Sequence, residues 1–252
     1  MNNPAFVIGD IHGCLSHLQK LLKRWNPDKE RLIFLGDLID RGEDSYGVVK
    51  LAMKLRNEYG AVVLGGNHEK MFLEWLEAPL LYTDDLYRYG GQATLDSFFS
   101  EKQVKFRSPV RLAARLKQDF SEEIAFLSSL SDYKVYDEHI LVHAGIDLEI
   151  PDWKKSGSYC FRTIREPFHF GENESGKTIV FGHTPTKRLH RDKRNDVWIS
   201  PCQTKIGIDG GAVFGGFLHG LVIKGNGEYR VHSVNHRLEL AEKSFFLNVK
   251  LC

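Results

Sequence analysis

The feature that most constrains this chain is a junction that recurs along it: short apolar runs stop abruptly at glycine-flanked polar clusters. "AFVI" runs into "GDIHG" (Gly9–Gly13), "RLIFL" into "GDLIDRG" (Gly36–Gly42), and "AVVL" into "GGNHEK" (Gly65–Lys70). Brief apolar runs bounded by turn residues read as buried strands. Between the first two, Leu15, Leu18, Leu21, Leu22 and Trp25 recur at helical spacing. Between the second and third, "DSYGVVKLAMKLRNEYG" is an amphipathic helix with Gly60 placed to cap its C-terminus. A β-α-β-α-β order predicts an α/β fold of largely parallel strands joined by right-handed crossovers.

From about Ala78 to Tyr133 the strand signal fades. "LDSFFSEK", "VRLAARLKQDF" and "EEIAFLSSLSD" read as helices. No Pro/Gly/Ser linker bounds them, so residues 78–133 are expected to be a helical insertion beside the sheet, within one domain spanning 1–252. Strands then return in "YKVYDEHILVHAG", "KTIVFGHTP", "KIGIDGG", "GFLHGLVIKG" and "EYRVHSV", with "KGNGEYR" as a hairpin turn. The C-terminal third is read as antiparallel sheet added to the parallel one. "LELAEKSFFLNVKLC" is expected to be a packing strand or tail.

Net charge is +1 over 252 residues, which gives no bulk attraction for nucleic-acid polymer or anionic membrane. No apolar run approaches the ~20 residues that span a bilayer. The N-terminus lacks a basic region followed by an apolar stretch, so a cytoplasmic location is expected. Cys14, Cys160, Cys202 and Cys252 form no CxxC pair and are read as reduced, structural thiols. The basic run Thr186–Asn195 is read as a solvated loop.

The polar clusters carry the chemistry. Asp10 and His12 follow the first strand, Asp37, Asp40 and Arg41 the second, Asn67 and His68 the third; His143 and His183 follow later ones. Ligands of open α/β sheets bind at the carboxyl ends of strands, so five such ends suggest one site. Asp, His and Asn without thiolate suit Mn, Fe or Zn. Asp10, His12, Asp37, Asn67, His143 and His183 are too many for one open catalytic metal and about right for two sharing a carboxylate. Two-metal sites stabilise the attacking and leaving oxygens of phosphoester displacement. A water between two cations would lose a proton near neutral pH and serve as nucleophile. His68 is left to protonate a leaving alkoxide, with Asp40 the candidate to orient it. Arg41 offers a planar fork for phosphate.

"GDIHG", "GDLIDRG", "GGNHE", "HAG" and "FGHTP" in this order resemble the calcineurin-like metallophosphoesterases, and within them the phosphoprotein phosphatase branch in its bacterial and lambda-phage form. "YGGQATLDSF", "TIREPF" and "GIDGGAVFGG" extend the resemblance over roughly residues 5–223. It implies a sandwich of mixed sheets flanked by helices. It implies a first metal on Asp10, His12 and Asp37, with Asp37 shared, and a second completed by Asn67, His143 and His183. His68 would be the general acid paired with Asp40, and Arg41 a phosphate ligand. A second phosphate arginine matches Arg165 best, with Arg162 the alternative. The usual "DTGA" and "LTAL" stand here as "DGGA" and "LHGL". Asp209 and His219 within them are read as a structural turn and an exposed strand histidine.

The resemblance implies a manganese-type serine/threonine protein phosphatase acting on phosphoproteins. A dinucleoside polyphosphate hydrolase and a small-molecule phosphomonoesterase are the alternatives. "DLIDRG" and "GNHE" favour the phosphoprotein branch, because diadenosine tetraphosphate hydrolases resemble "ARG" and "NHD" there. A catalytically dead scaffold would mark itself by a lost ligand or a lost His68, and none is lost.

Overall fold

The computed structural model describes residues 3–100, 108–224 and 227–247. The chain begins β1 (Ala5–Ile8), α1 (Leu15–Leu22), β2 (Arg31–Phe34), α2 (Ser45–Tyr59) and β3 (Val62–Val63). Helices α3 (Asn67–Glu77), α4 (Pro79–Arg88), α5 (Gly91–Phe99), α6 (Pro109–Asp119) and α7 (Ser121–Ser128) follow. Then come β4 (Tyr133–Tyr136), β5 (His139–Val142), α8 (Gly157–Thr163), β6 (Thr178–Phe181), α9 (Thr186–Leu189), β7 (Trp198–Ile199) and β8 (Lys205–Gly207). Strands β9 (Phe217–Ile223), β10 (Glu228–Asn235) and β11 (Leu240–Phe246) end the described chain.

These strands form two mixed sheets, ordered β11-β10-β9-β1-β2-β3 and β4-β5-β6-β8-β7. Alternation along each strand explains the layering, because successive side chains point to opposite faces. In β1, Phe6 and Ile8 face the helices while Ala5 and Val7 face the other sheet. In β2 and just past it, Leu32 and Phe34 divide from Ile33 and Leu35 in the same way. From the second sheet, Leu141, Val180 and Ile206 meet Val7 and Ile33. Its opposite face carries Ile140, Val142, Ile179 and Phe181, packed with Phe161 of α8 and with Phe168. Truncating a fully buried aromatic such as Phe34 to Ala would cost about 3–5 kcal/mol.

The parallel pairs β1–β2 and β2–β3 are those the N-terminal alternation predicts. Gly60 caps α2 in the left-handed conformation, at φ 64°. Helices α3 to α7 bury Phe72, Trp75, Leu95, Phe98, Leu116 and Phe126 against the outer face of the first sheet. The helical stretch therefore begins at Asn67, earlier than the strand signal alone indicates. The end of "LDSFFSEK" lies outside the described residues.

Three expectations are corrected. "YKVYDEHILVHAG" is an antiparallel hairpin of β4 and β5, with Tyr136 paired to His139. It turns at Asp137, whose φ of 47° is one that aspartate tolerates. In the first sheet the antiparallel addition is β9, β10 and β11, which extend it from β1, while in the second β7 pairs antiparallel with β8. Strands β5, β6 and β8 are parallel and belong to the second sheet, because the long connections between them permit crossovers. The run Thr186–Asn195 opens with α9, and Thr186 is buried, while Lys187, Arg188 and residues 191–194 are exposed. "LELAEKSFFLNVKLC" supplies β11, so the strand alternative holds for its described part. Gly225 and Asn226 of the hairpin turn, and residues 248–252 with Cys252, lie outside the described residues. Cys14, Cys160 and Cys202 are free thiols. No helix among the described residues is long and apolar enough to cross a membrane.

Candidate metal centre and active site

Strands β1, β2 and β3 of one sheet and β5, β6 and β8 of the other deliver their carboxyl-end loops to one edge. Asp10 and His12 follow β1, Asp37 to Arg41 follow β2, and Asn67 and His68 open α3 after β3. His143 follows β5, His183 follows β6, and Asp209 follows β8. Asp10, His12, Asp37, Asp40, His68, His143 and Asp209 are all buried.

The backbone there is unusual. His12, Asp37, Asp40, Arg41 and His183 adopt positive φ values of 47°, 48°, 72°, 70° and 60°. Such conformations are costly for residues with a Cβ and persist where the surroundings over-determine them. Two glycines make room: a Cβ on Gly66 would collide with the Asp37 carboxylate, and one on Gly182 with that of Asp10.

Asp37 stands at the centre. Its Oδ2 lies 3.5 Å from His12 Nε2 and 3.9 Å from His68 Nε2. Its Oδ1 lies 3.4 Å from His143 Nε2 and accepts from the His68 backbone N–H at 3.1 Å. Asn67 Oδ1 sits 3.2 Å from His143 Nε2 and 2.8 Å from His183 Nδ1. Two groups of ligand-type atoms within 4.8 Å of one another result, one of His12, Asp37 and His68, the other of Asp37, His143 and His183.

The outward nitrogen of each ring is fixed. His12 Nδ1 donates to Ile39 O at 2.9 Å, and His143 Nδ1 to Leu35 O at 3.0 Å. His183 Nε2 donates to Thr163 O at 3.1 Å. The opposite nitrogen of each ring then faces the centre, as for a metal-ligating histidine. Oxygen and imidazole donors without thiolate fit a pair of borderline or hard divalent ions. Asp10 stands apart from both groups: its two oxygens accept the His183 N–H at 3.1 and 3.0 Å.

Burial, reinforced by Asp209, raises the Asp10 carboxyl well above its ordinary range. Burial also raises Asp209 to about 6. Asp37 behaves oppositely. Burial pushes it up, but the His143 and His68 charges and the His143 hydrogen bond hold it well below the carboxylate range. The same attraction overcomes burial at His143 and raises it to about 9. His12 is lowered to about 3 by burial, with His68 and Arg41 adding to the shift. Burial and the His143 charge also hold His183 well below its ordinary range. Asp37 thus keeps its charge among closely packed imidazoles, where a divalent cation would compete with protons for the same nitrogens.

Asp40 Oδ2 lies 2.6 Å from His68 Nδ1, and Thr94 of α5 donates to Asp40 Oδ1 at 2.6 Å. Arg41 donates to the Nε2 atoms of His12 and His68, the latter at 2.7 Å. Its guanidinium lies 5.3 Å from the centroid of the exposed Phe214 ring. Arg165 is half-buried near Asp209, Asp10 and Asp37; burial and Arg188 lower its pKa. Arg162 turns away, donating to Asp132 at 2.7 Å and to Leu130 O at 3.3 Å.

Two buried residues escape a strand-end reading. Glu69 accepts from the backbone of Asp37, Leu38 and Gly66 at 3.0, 2.7 and 2.8 Å, clamping the Asp37 turn. Its signal was in "GNHE", because a glutamate three residues into a helix commonly returns to the cap. Gly66 is that cap. Thr94 lies 54 residues from Asp40 and carries no local signal. Asp209 does make a turn, accepting from Gly211 N at 2.9 Å. His219 is corrected: it is buried, bonded to Ser233 Oγ at 2.8 Å and Asn195 O at 2.7 Å. The pleat of β9 points it inward.

The model of the calcineurin-like phosphoesterase family matches residues 4–216. Serine/threonine-protein phosphatase 1 of Salmonella typhimurium is 31% identical over 219 residues, covering 85% of this chain and 89% of that protein. An asymmetrical bis(5'-nucleosyl)-tetraphosphatase PrpE of Bacillus cereus is 28% identical over 244 residues, covering 85% and 88%. A solved structure provisionally titled a diadenosine tetraphosphatase superposes with TM-score 0.64 at 21% identity, over 98% of this chain and 96% of that one. With its two sheets, shared Asp37 and ring of imidazoles, the chain belongs to the calcineurin-like phosphoesterases and is a metallophosphoesterase, an enzyme of phosphoester hydrolysis.

Proposed function

We propose that the enzyme is a serine/threonine protein phosphatase that uses two divalent metal ions, manganese foremost and iron or zinc as alternatives, and that it works in the cytoplasm. The observation that carries the reading is Asp37, whose two carboxylate oxygens face different histidine groups. Asp10, His12 and Asp37 would hold one ion, and Asn67, His143 and His183 would complete the other, with Asp10 giving up its bonds to the His183 N–H to do so. When bound, the ions supply positive charge to the phosphoryl oxygens and acidify water.

The chain's own residues do the rest. Arg41 and Arg165 orient the phosphoryl group, with phosphate oxygens replacing the histidine nitrogens as acceptors for Arg41. His68 gives the proton at its Nε2 to the leaving alkoxide, while Asp40 holds Nδ1 and stabilises the charged ring. The resemblance at "DLIDRG" and "GNHE", and the relative named as a serine/threonine-protein phosphatase, favour a phosphoprotein substrate.

A dinucleoside polyphosphate is the second reading. A cavity of about 720 Å³ opens beside Arg41, lined in part by Cys14, His17, Glu43 and Val213. That size suits a small ligand, and Phe214 stands next to it with an exposed ring. A phosphopeptide and diadenosine tetraphosphate compared under one metal condition separate the readings. Faster turnover of the phosphopeptide supports the first, and a large preference for the dinucleotide overturns it.

A further inference from the structure

We propose that Thr184 and His169 are positioning residues that aim Arg165 at the substrate phosphate, an inference that rests on reading Arg165 as a phosphate ligand. Among the described residues, the Arg165 side chain has one hydrogen-bond partner: Nη1 donates to Thr184 Oγ1 at 2.6 Å. The rest of the guanidinium is left for an anion. A half-buried arginine facing the exposed Arg188 would otherwise turn away from it.

Thr184 is buried, so its hydroxyl must be satisfied by protein. It has one proton to donate, and it already accepts from Arg165. His169 Nε2, 3.1 Å away, is the acceptor that remains. Donation to His169 fixes the hydroxyl rotor so that a lone pair faces Arg165. His169 Nδ1 lies 3.4 Å from Glu166 Oε1, which places the ring proton on the side away from Thr184. Burial keeps the ring's pKa below its ordinary value, consistent with a neutral acceptor.

The relay is itself anchored. His169 is buried, with its ring centroid 5.9 Å from Phe168 and 5.7 Å from Phe181. Its backbone N–H returns to Arg165 O at 3.2 Å, closing a turn of which Arg165 is the first residue. Lys205, fully buried on β8, donates to the carbonyls of His169 and Gly171 and holds that turn from below. Each link from β8 to the guanidinium is thus made by a hydrogen bond, through Lys205, the turn at His169 and Thr184.

The test is calorimetric binding of inorganic phosphate to the manganese-loaded protein, with manganese stoichiometry and thermal unfolding measured alongside. Thr184→Val and His169→Phe preserve shape but remove the relay. Each is expected to weaken phosphate about tenfold, with metal content unchanged. Thr184→Ser and His169→Gln restore an acceptor or donor and are expected to bind nearly as the parent. In the Arg165→Ala background, Thr184→Val is expected to add nothing. Additive losses in that double variant overturn the proposal, because the threonine then acts by another route. Unchanged phosphate binding in both relay variants overturns it too, and leaves the reading of Arg165 standing if Arg165→Ala alone weakens binding. If Arg165→Ala also binds phosphate normally, both fall. Should Thr184→Val not fold, His169→Phe and its double variant with Arg165→Ala decide by the same outcomes.

Discussion

Asp40 Oδ2 lies 2.6 Å from His68 Nδ1, with both side chains buried and Thr94 fixing the far oxygen of the carboxylate. A histidine so held keeps Nδ1 on the carboxylate and turns Nε2 toward the Arg41 guanidinium, where a phosphate would sit. His68→Asn is expected to lower kcat by about 10²–10⁴-fold on alkyl phosphates, whose leaving groups need a proton. The loss shrinks on p-nitrophenyl phosphate, whose leaving group is stable as an anion. Asp40→Asn follows the same pattern with a smaller loss. Equal losses on both substrates would remove His68 from the acid role.

Glu69 gives its carboxylate to three backbone N–H groups around Asp37. Glu69→Gln places an amide donor against one or more of those donors. Unfolding stability should fall by about 1–3 kcal/mol. Manganese affinity should fall by about 10–100-fold, as for other groups that orient a ligand. Thermal denaturation and a metal titration read the two effects. A variant that unfolds earlier yet binds manganese normally would make the clamp purely structural.

Arg165 and Arg162 have opposite surroundings although three residues apart. Arg162 ends its reach at Asp132 and Leu130, at the last turn of α8. Arg165→Ala is expected to raise KM for p-nitrophenyl phosphate at least about tenfold, without loss of thermal stability. Arg162→Ala is expected to lower stability and leave KM near the parent value. The reverse result would exchange their roles.

Pairs such as these show which parts of the site are written in the sequence and which depend on the fold. The strand ends are legible because apolar runs give way to Asp, His and Asn at glycines, and the fold brings those ends to one edge. Glu69 and Thr94 are harder: their partners lie 31 to 32 and 54 residues away, and only the half-capping pattern at Glu69 leaves a local trace. The left-handed turns at His12, Asp37, Asp40, Arg41 and His183 leave only a weak trace, because aspartate and histidine tolerate that conformation without requiring it. Arg162 and Arg165 are equivalent as letters, and the end of α8 at Thr163 separates them. His219 reads as a surface residue until the pairing of β9 with β10 places it inside.

That buried His219 gives a pH dependence. Burial, partly offset by the bond to Asn195 O, lowers it to about 4, against an ordinary value of 6.5 in the unfolded chain. Between these values the unfolded state binds more protons, so stability rises with pH. The contribution is complete above about 6.5 and is lost as pH falls toward about 4, at most about 3 kcal/mol. His219→Gln should flatten the decline of urea midpoints between about pH 7 and pH 5. An unchanged slope would show that the ring titrates normally.

On the proposed reading, Asp37 would be shared by two metal ions in one phosphoesterase centre. Metal-stripped enzyme titrated with Mn²⁺, with bound metal and hydrolysis of p-nitrophenyl phosphate followed together, tests it most directly. No turnover is expected without metal, activity should rise to a plateau at about two ions per chain, and Asp37→Asn should retain fewer ions. Full turnover in the stripped enzyme, or a plateau at a single ion unchanged by Asp37→Asn, would contradict it.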